Sequence, residues 1–254
     1  MNILVETTGG GIFSLFTTAI QQVFFNFDDF KKLNNIDNIY IDINKNSYKY
    51  KKNIKNNPFD YVLDQEKIKP DFVLKAFPVG TYNDHSLLYG TSDLEKLKLI
   101  CSKIRIKNTI INKINKEICE NTLGVHVRLT DMIDYHIDLH GGGSTDDYLK
   151  YIADILKFNK VKNIFVASDN FFSLEKIKEN FEIIYNQVNN ISETEFNSDY
   201  CNYQIENIHK EDFWVDSFTD MLSLSKCGIL LNKFSNLNNA ALFFSKTLHK
   251  FYKI

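Results

Sequence analysis

The residues best suited to chemistry stand in the segment Gly124-Val-His-Val-Arg-Leu-Thr-Asp131, where an apolar run ends in polar side chains. Arg128 offers a planar fork of donors that matches two phosphate oxygens, and it keeps its charge at any working pH. It is therefore suited to hold a departing diphosphate, with His126 and Asp131 beside it. A structural salt bridge between Arg128 and Asp131 would use the same residues, and position alone leaves both interpretations open.

The segment that follows is rich in groups that ligate metals or move protons. It contains, within ten residues, Asp131, Asp134, His136, Asp138 and His140. Zinc and iron sites use such groups, but the His-Glu-x-x-His spacing is absent. Because three glycines follow at 141–143, a loop that contacts substrate and supplies a general base is favoured over a metal site. We therefore predict no metal ligands here.

Three further segments carry polar groups at the predicted ends of strands. The glycines at 9–11 allow close backbone approach to a ligand, or simply form a tight turn. Asp169 and Asn170 follow an apolar run and suit either a ligand edge or the cap of the next helix. Ser235 and Asn236 open the last predicted helix, whose free amides suit phosphate, although capping alone would explain them.

The elements that must position these residues alternate between strand and helix in two stretches. Apolar spacing predicts strands at 2–5, 38–43, 122–128, 163–168, 182–185 and 228–231, and helices at 12–27, 92–106, 145–156, 172–180, 212–226 and 236–251. This order predicts an α/β fold of two Rossmann-like lobes with mostly parallel sheets, residues 1–115 and 116–254. Ligands of such sheets bind at the carboxyl ends of the strands.

Composition narrows the class of partner. The 254 residues carry a formal net charge of -2, which gives no overall field for nucleic acid. The four cysteines form no Cys-x-x-Cys pair, which indicates free thiols in a reducing compartment. The start of the chain does not resemble a signal peptide, and polar residues interrupt the apolar run at 12–27. We predict a cytoplasmic protein without a membrane span.

In this order, the motifs resemble those of the GDP-fucose-dependent fucosyltransferase superfamily, which includes the core α1,6-, the α1,2- and the protein O-fucosyltransferases. The segment around Arg128 resembles the family's His-x-Arg-x-x-Asp, and Val-Ala-Ser-Asp169-Asn170 resembles its Ala-Thr/Ser-Asp-Asp. The stretch from Asp220 to Phe-Ser235-Asn236 resembles its Asp…Leu-Ser…Phe-Ser-Ser. The glycines at 9–11 stand where members carry a glycine-rich loop, whereas residues 30–120 match little.

The resemblance implies a role for each matching residue. Arg128 would hold the β-phosphate of the donor with His126 beside it, and Asp220 would contact the guanine, although a solvent-facing helix row with Asp212 and Asp216 would also explain its spacing. The remaining implied donor contacts are Gly10, Gly11, Asp169, Ser235 and the amide of Asn236. The family is two-lobed, of the GT-B type, with the donor on the C-terminal lobe and the acceptor on the N-terminal lobe.

The function implied is an inverting, metal-independent transfer of fucose from GDP-fucose to a glycan hydroxyl, with no cofactor besides the donor. No two aspartates are separated by a single residue, so the Asp-x-Asp pair of metal-dependent glycosyltransferases is absent. His136 and Asp131 are the first candidates for the base, with Asp134, Asp138 and Glu6 competing. The alternatives are another GDP-sugar, a metal-dependent hydrolase built on 131–140, and a non-catalytic glycan-binding module.

Overall fold

The computed structural model describes residues 1–7, 11–27, 29–43, 57–65, 69–76, 91–128, 144–186, 210–232, 235–247 and 250–253. The strands are β1 Asn2–Thr7, β2 Asn38–Ile43, β3 Phe72–Ala76, β4 Thr122–Val127, β5 Asn163–Ser168, β6 Ile229–Asn232 and β7 Lys250–Lys253. The helices are α1 Ile12–Asn26, α2 Phe30–Asn34, α3 Thr91–Cys101, α4 Asn108–Ile111, α5 Thr145–Phe158, α6 Phe171–Asn180, α7 Glu211–Lys226 and α8 Asn236–Phe244, with a 3₁₀ turn at Pro58–Tyr61.

The described strands form two parallel sheets. Their orders are β2-β1-β3 and β5-β4-β6-β7, and every pairing is parallel. Parallel neighbours need crossover connections, which helices supply in both halves of the chain. Strand β4 is buried along its whole length, as expected for a central strand covered on both faces. The predicted α/β class with parallel sheets is confirmed, while the division at residue 115 and the two-lobed arrangement stay predictions.

Helices α7 and α8 connect the two sheets through one continuous apolar core. Phe16 of α1 packs edge-on against Phe218 of α7, with ring centroids 5.2 Å apart. Trp214 of α7 packs against Phe59 of the 3₁₀ turn, at 5.0 Å. All four rings are fully buried. Helix α8 packs against both α1 and α7.

The two faces of β4 pack against different helices because successive side chains of a strand point to opposite faces. Val125 and Val127 join a second apolar core with Tyr148 and Ile152 of α5. Gly124 lies against Leu224 and Cys227 at the end of α7. His126, two residues after Gly124, therefore faces α7 and α8.

Three predicted elements were wrong in type or extent. Helix α3 ends at Cys101 rather than at 106. The last helix ends at Phe244 rather than at 251, and Lys250–Lys253 forms β7 at the edge beside β6. The predicted strand at 182–185 is a single parallel bridge between Phe165 and Ile184. In the part of the chain that the structure describes, no helix combines the length and hydrophobicity needed to cross a bilayer.

Candidate functional site

A buried hydrogen bond joins the end of β4 to the start of α8. His126 Nδ1 lies 3.0 Å from Ser235 Oγ, and both residues are buried. Ser235 is also the N-cap of α8, since its Oγ accepts the Asn238 amide hydrogen at 3.1 Å. The capping interpretation of Ser235 is thus confirmed, and the same serine brings two sequence-predicted site residues into contact across 109 positions.

Arg128 follows His126 at the point where β4 ends, and it is half-buried. Burial and the positive charge of Arg128 lower the pKa of His126 to about 3. The imidazole is therefore neutral at physiological pH, and Arg128 carries the positive charge at this end of the strand. Together with the first amides of α8, this charge can stabilise a bound anion.

Tyr148 lies beneath the end of β4 and was not among the predicted site residues. Burial raises the pKa of Tyr148 far above its usual value, the negative charge of Asp169 raises it too, and a backbone contact with Arg128 lowers it. The hydroxyl thus stands close to both site residues. Tyr148 lies in the apolar stripe of α5, so the sequence pattern indicates only an aromatic residue of the core.

Of the two residues after β5, Asn170 is a helix cap and Asp169 stays a predicted site residue. Asn170 is buried and caps α6, since its side-chain oxygen accepts the Ser173 amide hydrogen at 2.8 Å. Asp169 is half-buried beside it. Because Val127 pairs with Ser168 in the sheet, Arg128 and Asp169 are the next residues in register. The structure therefore brings Asp169 to the same edge as Arg128.

Asp220 is half-buried on α7 and accepts a hydrogen bond from Asn186 Nδ2 at 2.7 Å. Burial raises the pKa of Asp220 to about 7, the Asn186 hydrogen bond opposes this shift, and the Asp216 carboxylate adds to it. Asp212, in contrast, is exposed. A solvent-facing row therefore explains Asp212 and does not explain Asp220.

Helix α1 contacts the start of α8. Gly11 is the N-cap of α1 and provides no capping side chain, and Thr17 Oγ1 lies 3.2 Å from Asn236 Oδ1. Glu6, near the end of β1, is half-buried and pairs in register with Asp42 and Lys75. The helix start that carries Asn236 is thus in contact with the second turn of α1.

Several predicted residues fall outside the described ranges, namely Gly10, Asp131, Asp134, His136, Asp138 and His140. The candidate bases of that loop therefore stay predictions, as does the salt bridge between Arg128 and Asp131. Within the described ranges, no three His, Cys, Asp or Glu side chains are grouped so as to hold a metal ion.

Comparison with known proteins supports the fold. No protein-family model matches the chain, and no curated protein matches it. Among solved structures, it is similar to the α1,6-fucosyltransferase NodZ soaked with GDP-fucose, with 13% identity, a TM-score of 0.50, and coverage of 96% of this chain and 92% of that chain. The selenomethionine form of fucosyltransferase NodZ from Bradyrhizobium gives the same values. The chain therefore shares the fold of these fucosyltransferases, in agreement with the resemblance seen in its motifs.

Proposed function

We propose that the protein is a glycosyltransferase that moves fucose from GDP-fucose to a hydroxyl of a glycan. The observation that carries the proposal is the buried contact between His126 and Ser235. It places the strand end that bears Arg128 next to the amides of α8, and a cation beside helix amides suits a diphosphate. Fucose is proposed as the sugar because the fold is similar to that of NodZ, whose crystal was soaked with GDP-fucose.

In this proposal the chain forms two GT-B lobes, residues 1–115 on the acceptor side and 116–254 on the donor side. The donor lies at the carboxyl edge of the sheet that contains β4. Arg128 binds the β-phosphate, Ser235 and the Asn236 amide bind its oxygens, and neutral His126 lines the same site. Asp169 orders the pocket and Asp220 binds the guanine, while Gly10 and Gly11 allow the first lobe to approach closely.

The reaction is a single inverting displacement. An acceptor oxygen attacks the anomeric carbon of fucose from the face opposite the diphosphate, and the bond from that carbon to the phosphate oxygen breaks. A base removes the acceptor proton, and GDP leaves with the bonding electrons as a phosphate anion. Arg128 and the α8 amides stabilise that anion, so the proposed mechanism requires no metal. His136 and Asp131 are the first candidates for the base, ahead of Asp134, Asp138 and Glu6.

The described cysteines, Cys101, Cys119 and Cys227, are free thiols. A reducing compartment keeps cysteines in this form. We therefore retain the cytoplasm as the proposed location.

Nucleotide binding tests the proposal directly. GDP and GDP-fucose should raise the melting temperature and UDP should not, because a ligand at 100 times its Kd stabilises the folded state by about 2.7 kcal/mol. Absence of a response to both guanosine nucleotides would refute it. An array of GDP-sugars and glycan acceptors then identifies the sugar, linkage analysis identifies the hydroxyl that receives it, and the anomeric configuration of the product, measured by NMR, reports inversion.

The same array, run with and without EDTA, distinguishes the transferase from the remaining alternatives. Activity that survives EDTA supports the metal-free transferase, whereas complete loss would favour a hydrolase built on 131–140. Binding of GDP-fucose without turnover on any acceptor would indicate a glycan-binding module.

A further inference from the structure

The segment that follows α6 lies alongside β5, the outer strand next to β4. The Ile184 amide donates to the Ile164 carbonyl at 2.7 Å, and the Val166 amide donates to the Ile184 carbonyl at 2.9 Å. These two bonds place Ile184 beside Phe165 in parallel register. Asn186, two residues further along, therefore lies toward the carboxyl edge, where ligands of parallel sheets bind.

The side-chain amide of Asn186 is held at two points on α7. Its Nδ2 donates to Asp220 Oδ1 at 2.7 Å and lies 3.4 Å from Ser223 Oγ. Ser223 is fully buried, three residues after Asp220 on the same helix. One oxygen of the Asp220 carboxylate is therefore fixed from outside its own helix.

We propose that Asn186 is a positioning residue that orients the Asp220 carboxylate toward the guanine, and so sets the preference for guanine over purines that lack the 2-amino group. The inference rests on the proposed function, in which Asp220 binds the base. Guanine presents two donors on one edge, N1–H and the 2-amino group, which match the two carboxylate oxygens. Each oxygen has two acceptor sites, so Oδ1 can accept from Asn186 and from guanine together.

Hypoxanthine provides the discriminating probe because it keeps N1–H and lacks the 2-amino group. A correctly oriented carboxylate gains a second hydrogen bond from GDP that IDP cannot supply. Hydrogen bonds to charged groups contribute about 1.5–3 kcal/mol, which corresponds to about tenfold or more in affinity. A carboxylate that rotates freely loses most of this preference for GDP. If the role of Asn186 were purely structural, its replacement would weaken the binding of both nucleotides equally.

The experiment measures the Kd of GDP and of IDP by calorimetry for wild type, Asn186→Leu and Asn186→Ser. Serine keeps a polar group that is too short to reach Asp220, and it guards against a folding defect in the leucine variant. We expect wild type to favour GDP by about tenfold or more, and both variants to bind GDP about tenfold more weakly with a GDP/IDP ratio near one. The control is Asn180→Leu, since Asn180 is exposed and its side-chain amide donates to the carbonyl of Lys176 in its own helix.

Two results would overturn the inference in different ways. A folded variant that binds GDP more weakly with an unchanged GDP/IDP ratio, or with unchanged affinity, removes the positioning role of Asn186 and leaves the proposed function intact. A wild-type protein that binds neither nucleotide removes both.

Discussion

Replacing Asp220 with asparagine should stabilise the free protein and weaken its binding of GDP. Burial and the Asp216 carboxylate raise the pKa of Asp220 to about 7, despite the hydrogen bond from Asn186. The ordinary pKa in the unfolded chain is 3.8. The folded state therefore keeps this proton to a higher pH than the unfolded chain, and the resulting stability is present below about pH 4 and is lost as the pH rises to about 7.

The size of the effect follows from the shift. A difference of about 3 pKa units corresponds to about 4 kcal/mol at 1.36 kcal/mol per unit. Because Asp220 is half-buried and partly reached by solvent, we take about half of this, or about 2 kcal/mol. Asparagine cannot ionise and can still accept the Asn186 hydrogen bond. We therefore expect Asp220→Asn to raise the free energy of unfolding by about 2 kcal/mol at pH 8 and by almost nothing near pH 4.

Urea unfolding between pH 4 and 8.5 measures this difference, with the fluorescence of the single, buried Trp214 as the signal. The control is Asp212→Asn on the same helix, an exposed position where a change within about 0.5 kcal/mol is expected. A difference that does not vary with pH would refute the burial argument. GDP affinity should fall at least about tenfold, and unchanged affinity would separately refute the contact between Asp220 and guanine.

Three further variants test other parts of the site. Arg128→Ala should lower turnover, measured as GDP released, at least about a hundredfold with the fold intact. A near-normal rate would favour a structural salt bridge. The control is Arg105→Ala, at an exposed position. Gly228→Ala should cost about 2 kcal/mol or more in urea unfolding, because its Cβ would lie 1.9 Å from the Glu120 carbonyl oxygen, and a smaller loss would mean that this backbone can shift. The stability of wild type should fall as the pH is lowered from 6.5 toward 3, because His126 is buried in its neutral form. His126→Gln should lose less stability over the same range. Equal slopes of stability against pH for the two proteins would contradict the neutral state of His126.

The sequence predicted the order of most elements because their burial follows simple periods. The apolar residues of α1 recur at helical spacing and its inner face is buried, while β4 is a continuous apolar run that the sheet covers on both faces. The edge of the sheet was predictable for the same reason. Once β4 and β5 are parallel neighbours, Arg128 and Asp169 must emerge on the same side.

The contacts that complete the site were not predictable from local pattern. Asn186 meets Asp220 only because a short segment lies beside β5, and Tyr148 reaches the end of β4 only through the packing of α5. Such contacts depend on how helices pack on the sheet. The spacing of residues along a single sequence does not reveal that packing. The edge strand β7 was missed for a related reason, because four residues are too few to distinguish a strand from the end of a helix.

The charges at the end of β4 explain why Arg128 should matter more to turnover than His126. A protonated His126 would be buried and would stand beside the Arg128 cation, and both effects lower its pKa, to about 3. A bound diphosphate would raise that pKa. The rise would have to exceed 3 units before the ring gained a proton at pH 7. In the proposed reaction, His126 would therefore act on the donor as a neutral hydrogen-bonding group that Ser235 holds in place, while Arg128 would supply the charge that a leaving phosphate anion requires.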